Sequence, residues 1–269
     1  MEGAAAGRVK LYADLGNTTL HMGIWLDGWV GARRVAMRDL QGPEAWREAL
    51  SRFARECGLP DGECGGALGC ASTKLRGPLA QAVREVFGVS LRLLGQDLVA
   101  PMAAEYDDPA SIGQDRLLGG FAAWRAAGGP CIVLDAGTCV TCDVVAEEGI
   151  LIPIAIAPGL PAMRRGVELL APHLGEALAA SPAQELPTES GPARSTRQSI
   201  AAGLAHALGG CAQRLIGAAR SVLPQDAPAQ VILTGGDASL LASLLAEPAR
   251  LAPMLNLDGL RQIDELGGQ

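Results

Sequence analysis

Two short stretches place an acid, a glycine and a hydroxyl at the end of an apolar run: "YADLGNT" (residues 12–18) and "VLDAGT" (133–138), which set Asp14 and Asp135 121 positions apart. Turns of this composition suit a polyphosphate. A Cβ would hold backbone amides away from phosphate oxygens, and Gly16 and Gly137 have none. Asn17, Thr18 and Thr138 add neutral donors. Asp14 and Asp135 would repel phosphate directly, so they are expected to act through a cation or its water shell. Either turn alone is also ordinary hairpin chemistry; the pair implies one ligand gripped from both sides. A third glycine turn, "LTGGDA" (233–238), sets Gly235 and Gly236 where a flat backbone suits a purine, although an isolated Gly-Gly is also a common tight turn.

Repeated elements must position these turns. In the first half, "VKLYA", "HMGIWL" and "VGARRVAM" read as three antiparallel strands with a turn at "DGW". The helix "PEAWREALSRFAREC" follows, with Pro43 in its first turn and Trp46, Leu50, Phe53 and Cys57 on one stripe. "GGALGCAS" is a short buried strand, "GPLAQAVREVF" a helix with Leu79, Val83 and Val86 inward, and "SLRLLG" another strand. The second half repeats the order: strands at "CIVLDAGT", "TCDVVAEEGI" and "LIPIAIA", the long helix "SIAAGLAHALGGCAQRLIGAAR", the strand "AQVILTGG" and the helix "ASLLASLLAE". Three strands followed by alternating helix and strand, written twice, predict a duplicated α/β fold. The apolar helix "QDRLLGGFAAWRAAGG" is expected to cross from one half to the other. Residues 179–195, rich in Pro, Ser and Glu, read as an exposed loop.

Composition narrows the class. The 269 residues suffice for one large domain or two halves, and a 49 % hydrophobic, 3 % aromatic chain must build its core from aliphatic side chains. A net charge of −7 argues against a nucleic-acid surface. The N-terminus lacks the apolar stretch of a signal peptide, and "GILIPIAIAPGLPAM" (149–163) is broken by three prolines, which fits strand and turn better than a membrane span. A cytoplasmic protein without membrane contact is expected. Seven cysteines and three histidines give no disulfide framework and no metal-ligand spacing, and Cys139 and Cys142 read as small apolar residues in a buried strand.

The arrangement of "DLGNT", "DAGT" and the late "TGG" resembles the actin-like ATPase superfamily of acetate and sugar kinases. Within it the chain resembles type III pantothenate kinase, through "EYDDPASIGQDR" (105–116), "LDAGTCVTCDVV", "AIAPGL" (155–160) and "RSTRQSIAAG" (194–203). The resemblance implies α/β, duplicated actin-like (ribonuclease H-like) domains, 1–115 and 116–269, each a mixed five-stranded sheet flanked by helices, with an inter-domain ATP cleft. It implies transfer of the γ-phosphoryl group of ATP to pantothenate, the first step towards coenzyme A, with Mg²⁺ and a monovalent cation, K⁺ or NH₄⁺, by a homodimer.

By residue-by-residue correspondence, Asp115 would be the general base. Tyr106, Gly113, Gln114, Asp115, Arg116 and Thr196 would line the pantothenate pocket. ATP would meet Asp14, Leu15, Gly16, Asn17, Thr18, Thr19, Leu20, His21, Thr138, Gly235 and Gly236, while Asp135 would serve the monovalent cation. Plainer roles stay open from the residues themselves: a helix N-cap for Asp115, a surface anchor for Tyr106 and a salt bridge for Arg116. The chain departs from the family pattern at Pro153 and Ile154, where two glycines are usual, at Asp107 and Asp108 before Pro109, and at Gln114. Two alternatives stand beside this reading: a nucleotide-binding accessory protein without pantothenate kinase activity, motivated by Pro153 and Ile154, or a kinase for another small alcohol.

Overall fold

Alternation of apolar residues sets the first sheet. The computed structural model describes residues 9–59, 64–71, 75–179, 186, 191–224 and 228–267. In it β1 (Lys10–Leu15), β2 (Thr19–Trp25), β3 (Trp29–Ala36), β4 (Gly66–Ala71) and β5 (Leu91–Leu93) form one mixed sheet in the order β3-β2-β1-β4-β5. The first three strands are the expected antiparallel meander, and β4 lies parallel to β1. Helices α1 (Pro43–Glu56) and α2 (Arg76–Phe87) connect the strands on one face. There Leu11, Ala13, Leu15, Leu20, Met22 and Ile24 pack with Trp46, Leu50, Phe53, Leu79 and Val83. Cys57, expected on the α1 stripe, instead caps the C-terminus of α1 and is half-buried against the same core.

The second sheet has six strands, one more than expected: β6 (Ala103–Ala104), β7 (Cys131–Ala136), β8 (Cys139–Val145), β9 (Ile150–Pro158), β10 (Gln230–Thr234) and β11 (Arg250–Leu251), in the order β11-β10-β7-β8-β9-β6. Of the six, β6 and β11 match no strand read from the sequence pattern; each is two residues long and too short to leave a periodic signal. With this sheet go α3 (Gln114–Ala127), α4 (Leu160–Leu170), α5 (Pro172–Ala179), α6 (Thr196–Ser221) and α7 (Ala238–Leu244). Helix α6 starts cleanly because the Ser195 hydroxyl accepts from the Gln198 amide and the Gln198 side chain accepts from the Arg194 amide. The loop expected over 179–195 falls largely outside the described residues. Among the described residues no helix is long and apolar enough to cross a membrane. The apolar run 149–163 supplies β9 and the start of α4.

One further helix, α8 (Leu255–Gly267), ends the chain. Unit 1 runs to Pro101 and takes in Gly113–Leu118 and the chain from Asn256; unit 2 comprises Met102–Ile112 and Gly119–Leu255. The residues of α3 are thus divided between the two units, and α8 returns the C-terminus to the sheet that starts the chain.

Candidate active site

In unit 1 the hairpin corner between β1 and β2 sets the geometry. Asp14, the last residue but one of β1, is half-buried and pairs in register with His21 on β2 and Cys70 on β4; His21 in turn pairs with Arg34 on β3. Residues opposite one another share a face, so Arg34, His21, Asp14 and Cys70 form one row across the sheet. Burial, then the positive charge of Arg34, lowers the His21 pKa to about 4, so the imidazole is neutral near pH 7. The Asp14 carboxylate accepts a 2.8 Å hydrogen bond from Nδ2 of Asn256, a residue buried to 8 % exposure in the first turn of α8.

Gly16, Asn17 and Thr18 form the exposed tip of this corner. The Gly16 amide donates to the Thr19 carbonyl at 3.0 Å, so the glycine closes the hairpin and its own N–H is engaged there. A Cβ at Gly16 would make only an ordinary 3.7 Å contact with that carbonyl, and the fold itself does not demand glycine at this position. Leu15 and Leu20 point into the core of unit 1, which leaves their backbone to the corner.

Asp115 lies in the first turn of α3, exposed, and its Oδ1 accepts from the Arg116 amide at 3.0 Å. That is a contact with the adjacent residue. An N-cap would instead accept from an amide two or three positions on. Burial raises the Cys70 thiol well above the usual range, and the carboxylates of Asp14 and Asp115 raise it further while Arg76 opposes them. Asp14 lies opposite Cys70 in the β1–β4 register, and Asp115 and Arg76, of the same unit, also act on it electrostatically. Gln114 folds its side chain onto the turn at Gly95, and its Oε1 is buried without a hydrogen-bond partner. Gly113 and Asp115 are both exposed on the surface of this turn, and Arg116 is half-buried.

Unit 2 builds its corner differently. Asp135, the last residue but one of β7, lies beside Thr141 on β8 and Thr234 on β10. The Gly137 amide donates to the Cys139 carbonyl at 2.9 Å, and the Gly159 amide donates to the Thr138 carbonyl at 2.9 Å. A Cβ on Gly159 would lie 2.1 Å from the Gly137 carbonyl oxygen, and one on Gly235 2.3 Å from that of Ala136 and 2.5 Å from Oδ1 of Asp135. Gly235 also has φ +94°. Both glycines are steric requirements of this corner; Gly236 beside them is exposed. Also in unit 2 are Tyr106, 43 % exposed on the segment after β6, and Thr196, exposed at the start of α6. Cys142 is buried as expected, whereas Cys139 is exposed at the first position of β8, next to the tip of the corner.

Asn256, Arg76 and Gly159 were not singled out from sequence as site residues. Gly159 lies within "AIAPGL", and its signal was the glycine at the start of a helix. Asn256 stands alone as a polar residue among the leucines of "MLNLDGL", a pattern that by itself says only that a buried amide needs a partner.

A mixed five-stranded and a mixed six-stranded sheet flanked by helices is the fold of the actin-like ATPases and sugar kinases. The activator of the 2-hydroxyisocaproyl-CoA dehydratase from Clostridium difficile, solved with bound ADPNP, shares it with a TM-score of 0.54 at 12 % identity, over 97 % of this chain and 96 % of that one. Component A of the (R)-2-hydroxyglutaryl-CoA dehydratase of Acidaminococcus fermentans gives 0.51 at 15 % identity, over 95 % of each chain.

Sequence narrows the class further. The family described as type III pantothenate kinase matches residues 10–218, and the chain belongs to that family. The type III pantothenate kinase of Thermomicrobium roseum is 30 % identical over 94 % of this chain and 95 % of its own length. That of Roseiflexus sp. (strain RS-1) is 29 % identical over 95 % and 98 %.

Proposed function

We propose that the chain transfers the γ-phosphoryl group of ATP to the primary hydroxyl of pantothenate, committing it to coenzyme A synthesis, with Asp115 as the general base. One observation supports this reading beyond family membership: Asp14 and Asp115 belong to a single unit, and both carboxylates act electrostatically on Cys70. Phosphoryl transfer asks for positioning, charge neutralisation and an acceptor for the hydroxyl proton. An exposed carboxylate on a helix start supplies the acceptor. As the pantothenate oxygen forms its bond to the γ-phosphorus and the bond to the ADP oxygen breaks, the hydroxyl proton passes to Asp115. Gly113, Arg116, Tyr106 and Thr196 are assigned to pantothenate, and Gly235 and Gly236 to the nucleotide.

Asp14, the side-chain amide oxygen of Asn17 and the hydroxyl of Thr18 are hard oxygen donors of one corner, the kind that would hold magnesium directly or through its waters. When bound, magnesium neutralises charge on the phosphates. Asp135, flanked by the hydroxyl-bearing Thr141 and Thr234, is assigned to K⁺ or NH₄⁺. Homodimerisation is supported by exposed apolar side chains in unit 2, with Ile156 62 % and Leu170 88 % exposed. The free cysteines support a cytoplasmic setting.

The alternative of an accessory protein drew its reason from Pro153 and Ile154. Ile154 packs against the core of unit 2, and Pro153 sits opposite Asp143 at the register shift between β8 and β9. Both residues thus have structural roles inside their own unit. Purified protein with ATP, magnesium and potassium is expected to release ADP only when pantothenate is added. Absence of pantothenate-dependent ADP refutes the assignment, and release with a different small alcohol redirects it.

A further inference from the structure

Helix α8 meets β1 along a matched pair of repeats. Alternate β1 residues share a face, so Lys10, Tyr12 and Asp14 stand opposite the α1 and α2 side of the sheet, and each finds a partner on α8. Asp264 accepts from Tyr12 at 3.1 Å, pairs with Lys10 at 3.4 Å and accepts from Arg92 at 3.1 Å. Eight residues earlier on the same helix, Asn256 donates to Asp14. Eight helical residues span about 12 Å and the four strand steps from Lys10 to Asp14 about 13 Å, so one end of the helix is fixed by ions while the other delivers an amide to the corner. Trp29 donating to Asp258 at 3.0 Å and Arg261 stacked 4.6 Å from the Trp25 ring hold its middle.

The same helix also touches the element that carries Asp115. A Cβ on Gly259, one turn after Asn256, would lie 2.7 Å from Cδ1 and 3.0 Å from the carbonyl oxygen of Leu118, which is one turn after Asp115 on α3. Helix α8 thus touches Asp14 itself and, at Leu118, the helix that carries Asp115. At the corner, an ionised Asp14 only accepts hydrogen bonds, so the amide must turn Nδ2 towards it. This leaves Oδ1 of Asn256 buried with no hydrogen-bond partner. Natural interiors rarely tolerate such an acceptor.

We infer that Asn256 is a positioning residue for phosphoryl transfer, fixing the Asp14 carboxylate through Nδ2 and presenting Oδ1 beside it as the acceptor for a water of the magnesium-bound nucleotide. This rests on the assignment of Asp14 to magnesium ATP. Calorimetry of ADP binding, with magnesium and with EDTA, separates the role from simple packing. Asn256→Leu, close in volume, is expected to weaken the magnesium-dependent binding by about tenfold or more, with binding in EDTA and the thermal midpoint nearly unchanged. Asn256→Ser, which keeps a donor and an acceptor, is expected to recover part of the loss.

Equal weakening with and without magnesium, or no weakening in Asn256→Leu, overturns the inference. So does wild-type ADP binding that is indifferent to magnesium. A wild-type protein that binds ADP with magnesium yet shows no pantothenate-dependent turnover refutes the proposed reaction and leaves the role of Asn256 standing.

Discussion

The two acid-and-glycine corners look alike in sequence, and their surroundings differ in kind. At the β1–β2 corner the acid is held by a side chain from the far end of the chain, Asn256, and its strand neighbours are titratable, His21 and Cys70. At the β7–β8 corner the acid stands between two threonines, and the chain is held by backbone pressing on backbone at Gly159 and Gly235. The tip of the first corner, Gly16 to Thr18, is exposed. The second is locked by sterics. A glycine therefore means different things in the two places: at Gly159 and Gly235 it lets the fold close, and at Gly16 the fold leaves room for a side chain.

Substitutions can break this contrast. The largest effect is expected at the locked corner, where Gly159→Ala or Gly235→Ala forces a methyl group into backbone oxygens and should destabilise the protein by about 3 kcal/mol, read by denaturant unfolding. A near-neutral result would show that the corner relaxes freely.

Acid titration comes next. His21 titrates near 4 in the fold against about 6.5 unfolded. The unfolded chain therefore takes up the proton first as pH falls. Stability fully present above pH 6.5 is lost progressively down to about pH 4, by at most about 3 kcal/mol. The slope should flatten in His21→Gln, while Thr141→Val, beside the other acid, should leave it in place. The smallest effect is expected at the open corner. Gly16→Ala should shift stability by less than about 1 kcal/mol while weakening nucleotide binding by about tenfold; unchanged affinity would remove the ligand-based explanation of that glycine.

Much of this organisation was legible from the residue pattern. The meander, the buried faces of α1 and α2 and the helix-strand alternation follow from periodicity that tertiary packing reinforces. The corners were legible because Asp, Gly and Thr have few other reasons to recur at strand ends. Helix α8 was not. Its sheet-facing side mixes Leu257 and Leu260 with Asn256, Asp258, Arg261 and Asp264, so the charges that pin it to Lys10, Tyr12, Trp25 and Trp29 blur the apolar stripe by which a helix is recognised. Asn256 was hidden for the same reason, since its meaning lies in a partner 242 positions away. The strand β6 was invisible because two residues carry no period.

The central claim is that Asp14 and Asp115, gathered in one unit, divide the work, with one carboxylate serving the metal-bound nucleotide and the other the proton. Asp115→Asn tests it most directly, with ADP affinity and pantothenate-dependent ADP release measured on the same preparation. Affinity within about threefold of wild type and turnover reduced by about 100- to 10,000-fold are expected. Turnover close to wild type would contradict it.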